Sequence, residues 1–293
     1  MILSSRGVTF VTYRKIPISP DKCLATLDSN VNVYFSNKIF NMKLLIYLSS
    51  FLLLFSCGTP KDEENQIETV ETEGKSLEFT VEYFGALKNI MHKGDVSAHA
   101  DLTDFNKTEH FYALGAIEGL KGEILVLDGV PYISSVHEEQ LKIDNSFDYK
   151  ASLLVNTSVK EWNEFNIDSE ISTYEELENF ISTTAEQNGI DANQPFPFLL
   201  KGIADSLLWH VINWPEGDTE HTHEKHINSG LHGTQEDIDV EILGFYSDSH
   251  HAIFTHHTTN MHLHFISKDK MKTGHVDGLI LGESMKLLLP KTK

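Results

Sequence analysis

The sequence predicts a β-rich α+β fold, with mixed or antiparallel strands and few helices. Three observations carry this. From about residue 110 onward short apolar runs such as FYALGAI, GEILVLDGVPYISSV, YKASLLV and FPFLL follow one another at strand length. Asp128-Gly129 stands between two of these runs, the dipeptide of a two-residue hairpin turn. A clear helical period appears once and does not alternate with the strands, as a parallel α/β fold would require.

Not all of the 293 residues belong to that domain. Residues 42–57, MKLLIYLSSFLLLFSC, join a lysine after a methionine to a short apolar run and a terminal Leu-Phe-Ser-Cys. That is the pattern of a bacterial lipoprotein signal peptide with Cys57 as the acylated residue. The apolar run is too short for a spanning helix and polar sequence follows at once. Residues 1–41 are then expected to be a mis-annotated N-terminal extension ahead of the true start. Residues 58–75 are acidic and nearly free of large apolar side chains, a disordered tether. Its Lys-Asp-Glu-Glu run resembles the signal that sends some lipoproteins to the cell surface. The expected location is the bacterial cell envelope, periplasmic or surface-exposed, with the membrane reached through the lipid alone.

Residues 76–293 form the expected globular domain. The chain holds 43 acidic against 23 basic residues, for a net charge of −20, and the excess is larger once residues 1–56 are set aside. Phosphate contacts need lysine and arginine, so nucleic acid is excluded as a partner. The two cysteines are Cys23 and Cys57, so the domain has no disulfide and must rest on its core. Residues 77–84 alternate as a half-buried strand, and residues 86–92 read as a short helix closed by Lys93-Gly94. Ser172 and Glu175 are spaced as a capping box for a helix whose Tyr174, Leu177 and Ile181 share a face and which Gly189 closes. FPFLL, DSLLWHVIN, DIDVEILGFYS, MHLHFIS, GHVDGLIL and SMKLLL supply further strands.

Chemistry concentrates in residues 261–281, MHLHFISKDKMKTGHVDGLIL. His262 and His264 share a strand face because side chains alternate, while Met261, Leu263 and Phe265 take the other. The chain turns and returns with His275 at the head of the next strand. Three neutral imidazoles converging there would make a metal site with open positions, the set that catalytic zinc uses. The alternative is three histidines spread on a solvated hairpin. Glu123 opens the strand EILVL, apolar on both faces, where a carboxylate must be paired, near a metal or protonated unless the strand end frays into water. The tract TEHTHEKH, with His221, His223 and His226, reads as a loop. It is either solvated, an independent metal site, or an overhang that supplies a proton donor. Asp277 shares His275's face, as a partner orienting its imidazole or as a solvated carboxylate. His250, His251, His256 and His257 flank the hairpin without an assigned role. Gly-x-Ser-x-Gly elbows, phosphate loops and dinucleotide fingerprints do not occur in the domain.

Two blocks carry a family resemblance. HLHFIS followed by GH, with a third histidine eleven residues after the pair, resembles the zinc-binding hairpin of the α-acetolactate decarboxylases. GLKGEILVLDGVPY, residues 119–132, is similar to that family's GLDGEL-x-VLDG-x-x-Y stretch. The resemblance implies two packed sheet layers and zinc on His262, His264 and His275, with Glu123 as catalytic glutamate. It also implies decarboxylation of 2-acetolactate, a small hydroxy-keto acid, to acetoin. A metal-binding lipoprotein without turnover, or a lyase or isomerase for another 2-hydroxy-3-keto acid, are the alternatives. The family's arginine, in a TRSVP-like segment, falls near residues 211–215, VINWP, and the only arginines are Arg6 and Arg14. Lys201, His210, His221, His223 and Lys225 are the nearest groups able to carry positive charge. Glu283 lies too close to His275 to stand for the second glutamate that the family returns from its C-terminal extension.

Overall fold

The computed structural model describes residues 79–292 apart from Ser169. The expected extension, signal peptide, lipidated Cys57 and tether lie outside the described residues. Among those described, no helix is long and apolar enough to cross a membrane.

Two sheets make up the fold, and every pairing between their strands is antiparallel. The first contains β1 (Glu82–Phe84), β2 (Ala100–Asp101), β3 (Phe111–Ile117), β4 (Glu123–Leu127), β5 (Val130–His137), β6 (Gln140–Asp144) and β7 (Lys150–Ser158), in the order β1-β7-β3-β4-β5-β6 with β2 also on β7. β4 and β5 meet as the expected hairpin. Leu127 pairs with Val130, and Asp128 and Gly129 have φ of 47° and 77°, the left-handed backbone that suits Asp-Gly. The second contains β8 (Trp162–Asn166), β9 (Phe196–Val211), β10 (Leu231–Tyr246), β11 (Met261–Ser267), β12 (Thr273–Leu281) and β13 (Lys286–Pro290). Its pairings run β9–β10–β11–β12 and return to β9, with β13 and β8 continuing outward from β9.

Four local expectations change. FPFLL and DSLLWHVIN are parts of one strand, because β10 pairs with β9 from Leu231↔Val211 to Tyr246↔Phe196 and holds it extended through Gly202. The capping box sits one residue later than Ser172 and Glu175. Thr173 accepts from the Glu176 N–H and the Glu176 carboxylate from Thr173 N–H, at the start of α2 (Tyr174–Gln187). The 221–226 tract is not all loop, since Thr222 caps a short α3 (His223–Asn228) by accepting from the Lys225 N–H. Of the strand expected over residues 77–84, the described residues from 79 onward are regular only in β1. The first helix, α1 (Leu87–Lys93), ends at Gly94 as expected.

The main core lies between the sheets. Leu114, Leu125 and Leu127 of the first join Phe198, Leu200, Ile242, Phe265 and Leu287 of the second, with Leu177, Ile181 and Ala185 of α2. On the reverse face of the first sheet, Ile124, Val126 and Ile133 pack with Leu102, Phe111 and Leu154. β4 is therefore buried on both faces, as its EILVL sequence requires. Glu123 shares the face of Leu125 and Leu127, so side-chain alternation aims it at the second sheet.

Candidate metal centre

The corner that carries Glu123 is fixed by close backbone packing and by the chain that leaves β9. Gly122 before it has φ of +149°, and a Cβ there would lie 2.0 Å from the Ser134 carbonyl oxygen, so β4 reaches β5 this closely only with glycine. The chain leaving β9 then fastens onto the same corner. Ile212 N–H donates to Glu123 Oε1 (3.1 Å), Trp214 N–H to the Leu120 carbonyl (2.9 Å), and Lys121 Nζ to the Trp214 carbonyl (2.5 Å). Glu123 is 5% exposed, and burial pushes its carboxyl up to about 7. The His275 charge and the Ile212 N–H oppose that rise, and Asp277 adds to it.

Opposite Glu123 stand the histidines. His264 and His275 are cross-strand partners on β11 and β12, and His262 lies one alternation along. Their rings sit 5.0–5.4 Å apart, centre to centre, and each offers a ligand nitrogen within 4.8 Å of the others. Burial, then neighbouring imidazoles, hold His262 and His264 well below the ordinary histidine range. Both are therefore neutral and carry lone pairs at neutral pH. His262 Nδ1 and both ring nitrogens of His264 are buried with no partner at good hydrogen-bond geometry, the backbone of Phe254 and of Ile124 making only a weaker approach to the two rings. Orphaned buried nitrogens are costly in a folded protein, and a divalent cation would take up one nitrogen of each ring, the other N–H being left to an acceptor in the protein. His264 Nε2 lies 3.7 Å from Glu123 Oε2, which puts the carboxyl at the edge of the same space.

Asp277 sits in a bulge of β12, between Val276 paired with Trp209 and Gly278 paired with Leu208. Its carboxylate accepts from His210 Nδ1 at 2.8 and 3.0 Å, and His275 Nδ1 lies 3.3 Å away, close but misaligned. Burial alone would raise this carboxyl, but the hydrogen bond from His210 and the nearby imidazoles of His275 and His210 outweigh it and hold it low. A carboxylate only accepts, so His210 carries its proton on Nδ1 and, when neutral, a lone pair on Nε2. That Nε2 lies 3.8 Å from Glu123 Oε1.

The sequence marked His210 only as a group near the arginine position. A polar residue in the apolar run LLWHVIN was the available signal, of the same kind that marked Glu123. His210 also pairs in register with His275. The other substitutes for the arginine are dispersed: Lys201 pairs with Glu241 (2.8 Å), and Lys225 with Glu220 and Asp218 (2.9 and 3.2 Å). His221 stacks on Trp214 and hydrogen-bonds His226 (2.9 Å). Of that tract, His223 has Asp277, His275 and His210 within electrostatic reach, and its ring meets that of His256 at 4.9 Å, while His226 reaches His210 alone of these. His250 and His251 serve their own loop, bonded to Ser247 and Asn260.

Comparison with known proteins follows the same lines. A family model described as Alpha-acetolactate decarboxylase matches residues 86–291. No curated protein matches the sequence. Among solved structures, the alpha-acetolactate decarboxylase of Bacillus subtilis strain 168 is similar at 14% identity and a TM-score of 0.57, over 73% of this chain and 85% of that one. The acetolactate decarboxylase of Bacillus subtilis subspecies spizizenii is similar at 15% identity and 0.57, over 73% and 86%. A Staphylococcus aureus protein of unknown function, described as similar to alpha-acetolactate decarboxylase, matches at 15% and 0.56, over 73% and 85%. At such identity these likenesses show the fold, two antiparallel sheets with few helices.

Proposed function

The chain belongs to the alpha-acetolactate decarboxylase family, and from that premise we propose that it removes carbon dioxide from 2-acetolactate to give acetoin. The observation that carries the reading is Glu123. It is a buried carboxyl raised to about 7, with an oxygen 3.7 Å from an unpartnered ring nitrogen of the three-histidine cluster.

His262, His264 and His275 would hold zinc, the ion suited to a neutral tri-imidazole donor set. When bound it supplies Lewis-acid stabilisation of the negative charge that loss of carbon dioxide leaves on the substrate. The protein's own groups do the rest. Asp277 orients His275 and His210. Glu123, with its raised affinity for a proton, is the general acid that protonates the carbon from which carbon dioxide has departed. Burial of the cluster between the sheets limits water as a competing donor. The substrate is a small hydroxy-keto acid, and acylation at Cys57 would place the reaction in the bacterial cell envelope.

A second reading, metal binding without turnover, is favoured by one feature. The segment where the family's arginine falls offers buried Ile212 and Trp214 and no cation. The deciding experiment is acetoin formation from acetolactate by zinc-loaded protein, wild type beside Glu123→Gln. Turnover in the wild type that falls by about 10²-fold or more in E123Q supports the decarboxylase. Stoichiometric zinc with no acetoin from the wild type selects the binding protein.

A further inference from the structure

The carboxylate of a 2-hydroxy-3-keto acid needs donors, and the lysines nearest the lost arginine position are bound elsewhere, Lys201 to Glu241 and Lys225 to Asp218 and Glu220. Lys121 is bound to the Trp214 carbonyl. His210 already bonds Asp277, and two further imidazoles outside the metal triad lie within electrostatic reach of the cluster. His223 is the first residue of α3, fixed by the Thr222 cap. His256 belongs to the loop before β11, with Nδ1 bonded to Thr258 Oγ1 (2.9 Å), an arrangement that leaves the other ring nitrogen for a ligand. The loop itself is anchored. The Glu178 carboxylate of α2 accepts from the Thr259 hydroxyl and from Asn260 N–H (2.9 Å). The two rings stand 4.9 Å apart, on elements that approach from opposite sides in sequence. His223 lies within electrostatic reach of Asp277, His275 and His210, and His256 within reach of His275 and His262. Neither ring is held by an acidic side chain in an ion pair among the described residues.

We propose that His223 and His256 form a two-imidazole clamp that binds the substrate carboxylate, taking over the task for which the family uses a guanidinium. The inference rests on the decarboxylase reading and deepens it. Each ring can donate one N–H to a carboxylate oxygen, so two rings match the two oxygens as the fork of an arginine does. A clamp of two separately anchored side chains selects for the acid end of the ligand, whereas the metal triad selects for its vicinal oxygens. It is a specificity device, and its loss should therefore show in ligand discrimination while metal content stays constant.

The test uses the zinc-loaded protein and two probes that share a vicinal diol, 2,3-dihydroxy-2-methylbutanoate with a carboxylate and 2,3-butanediol without one. Titration calorimetry should show that H223A/H256A weakens the acid at least about tenfold, a step of 1.4 kcal/mol, while the diol changes less than twofold and zinc stays stoichiometric. H223Q/H256Q, whose amides retain N–H donors, should recover part of the acid affinity, and it covers the case in which the alanine protein fails to fold. Tight acid binding by the wild type that is unchanged in both variants, or lost equally for both probes, overturns the clamp and leaves the decarboxylase standing. If the zinc-loaded wild type neither binds the acid nor turns over acetolactate, the decarboxylase reading itself falls and the clamp with it.

Discussion

Glu123 and His264 approach to 3.7 Å, Oε2 to Nε2, across the gap between the two sheets. One residue begins β4 of the first sheet and the other lies within β11 of the second, so the contact exists only when the sheets are packed. Both side chains are buried, and burial disfavours the charged form of each, lowering the proton affinity of His264 and raising that of Glu123. A cation held by these imidazoles, as proposed, would offset both costs.

His262→Ala, His264→Ala and His275→Ala should each lower zinc affinity by more than the roughly 10–100-fold that loss of an outer partner costs. His221→Ala and His226→Ala should keep stoichiometric zinc, because those two rings bond each other against Trp214. Metal analysis after dialysis against a weak chelator separates the sets. Full zinc retention in H264A would remove it from the ligand shell.

Asp277→Asn keeps size but gives up the negative charge that orients His210 and His275. Zinc affinity should fall by about 10–100-fold with little change in unfolding temperature. An unchanged affinity in a competition titration would mean that Asp277 serves the fold alone.

In the metal-free protein, burial raises the Glu123 carboxyl from 4.5 to about 7. Its contribution to stability is fully present below the unfolded value and is lost as pH rises through the folded one. Above that the folded protein must hold a buried carboxylate. E123Q never ionises, so its stability relative to wild type should improve from about pH 4.5 to 7 and then level off, by up to about 3 kcal/mol. Urea unfolding in the presence of a chelator at several pH values measures the difference, from which the titrations of groups remote from Glu123 cancel. A pH-independent difference would contradict the burial argument.

Gly274 lies where β12 runs close against β9. A Cβ there would come within 2.5 Å of the His210 carbonyl oxygen and 3.1 Å of Val211 Cγ2. Gly274→Ala should cost about 1–3 kcal/mol and weaken zinc binding as well, because the displaced backbone carries His275. Thermal unfolding and a zinc titration on one sample check both. Lost stability with intact zinc affinity would show that the strand yields elsewhere.

The proposal that Cys57 is acylated predicts that C57S, expressed from Met42 in a bacterium that processes lipoproteins, is not lipidated and is recovered in the soluble fraction or unprocessed. Fractionation and mass spectrometry of the N-terminal peptide decide it. Membrane attachment of C57S equal to wild type would refute the anchor.

Much of this protein could be read from local sequence, because local rules govern much of it. Alternation placed His262 and His264 on one face of β11, Asp128-Gly129 closed a hairpin, and a carboxylate opening EILVL announced an unusual environment. These follow from strand geometry and from the cost of burying charge, which neighbours in sequence already set. Other features depended on residues far apart along the chain. β9 is one strand because β10 pairs along its whole length, although its sequence breaks at Gly202. His210 joins the site because β9 pairs with β12, which brings it beside His275 and Asp277, 67 residues on. Of the histidines in the 221–226 tract, His221 and His226 pack against Trp214, while His223 meets His256 and has Asp277 and His275 within electrostatic reach. Sequence determined which side chains could bind a cation or move a proton. Packing of the two sheets decided which of them share a space, because a cross-sheet distance is fixed by every strand between and by no single segment.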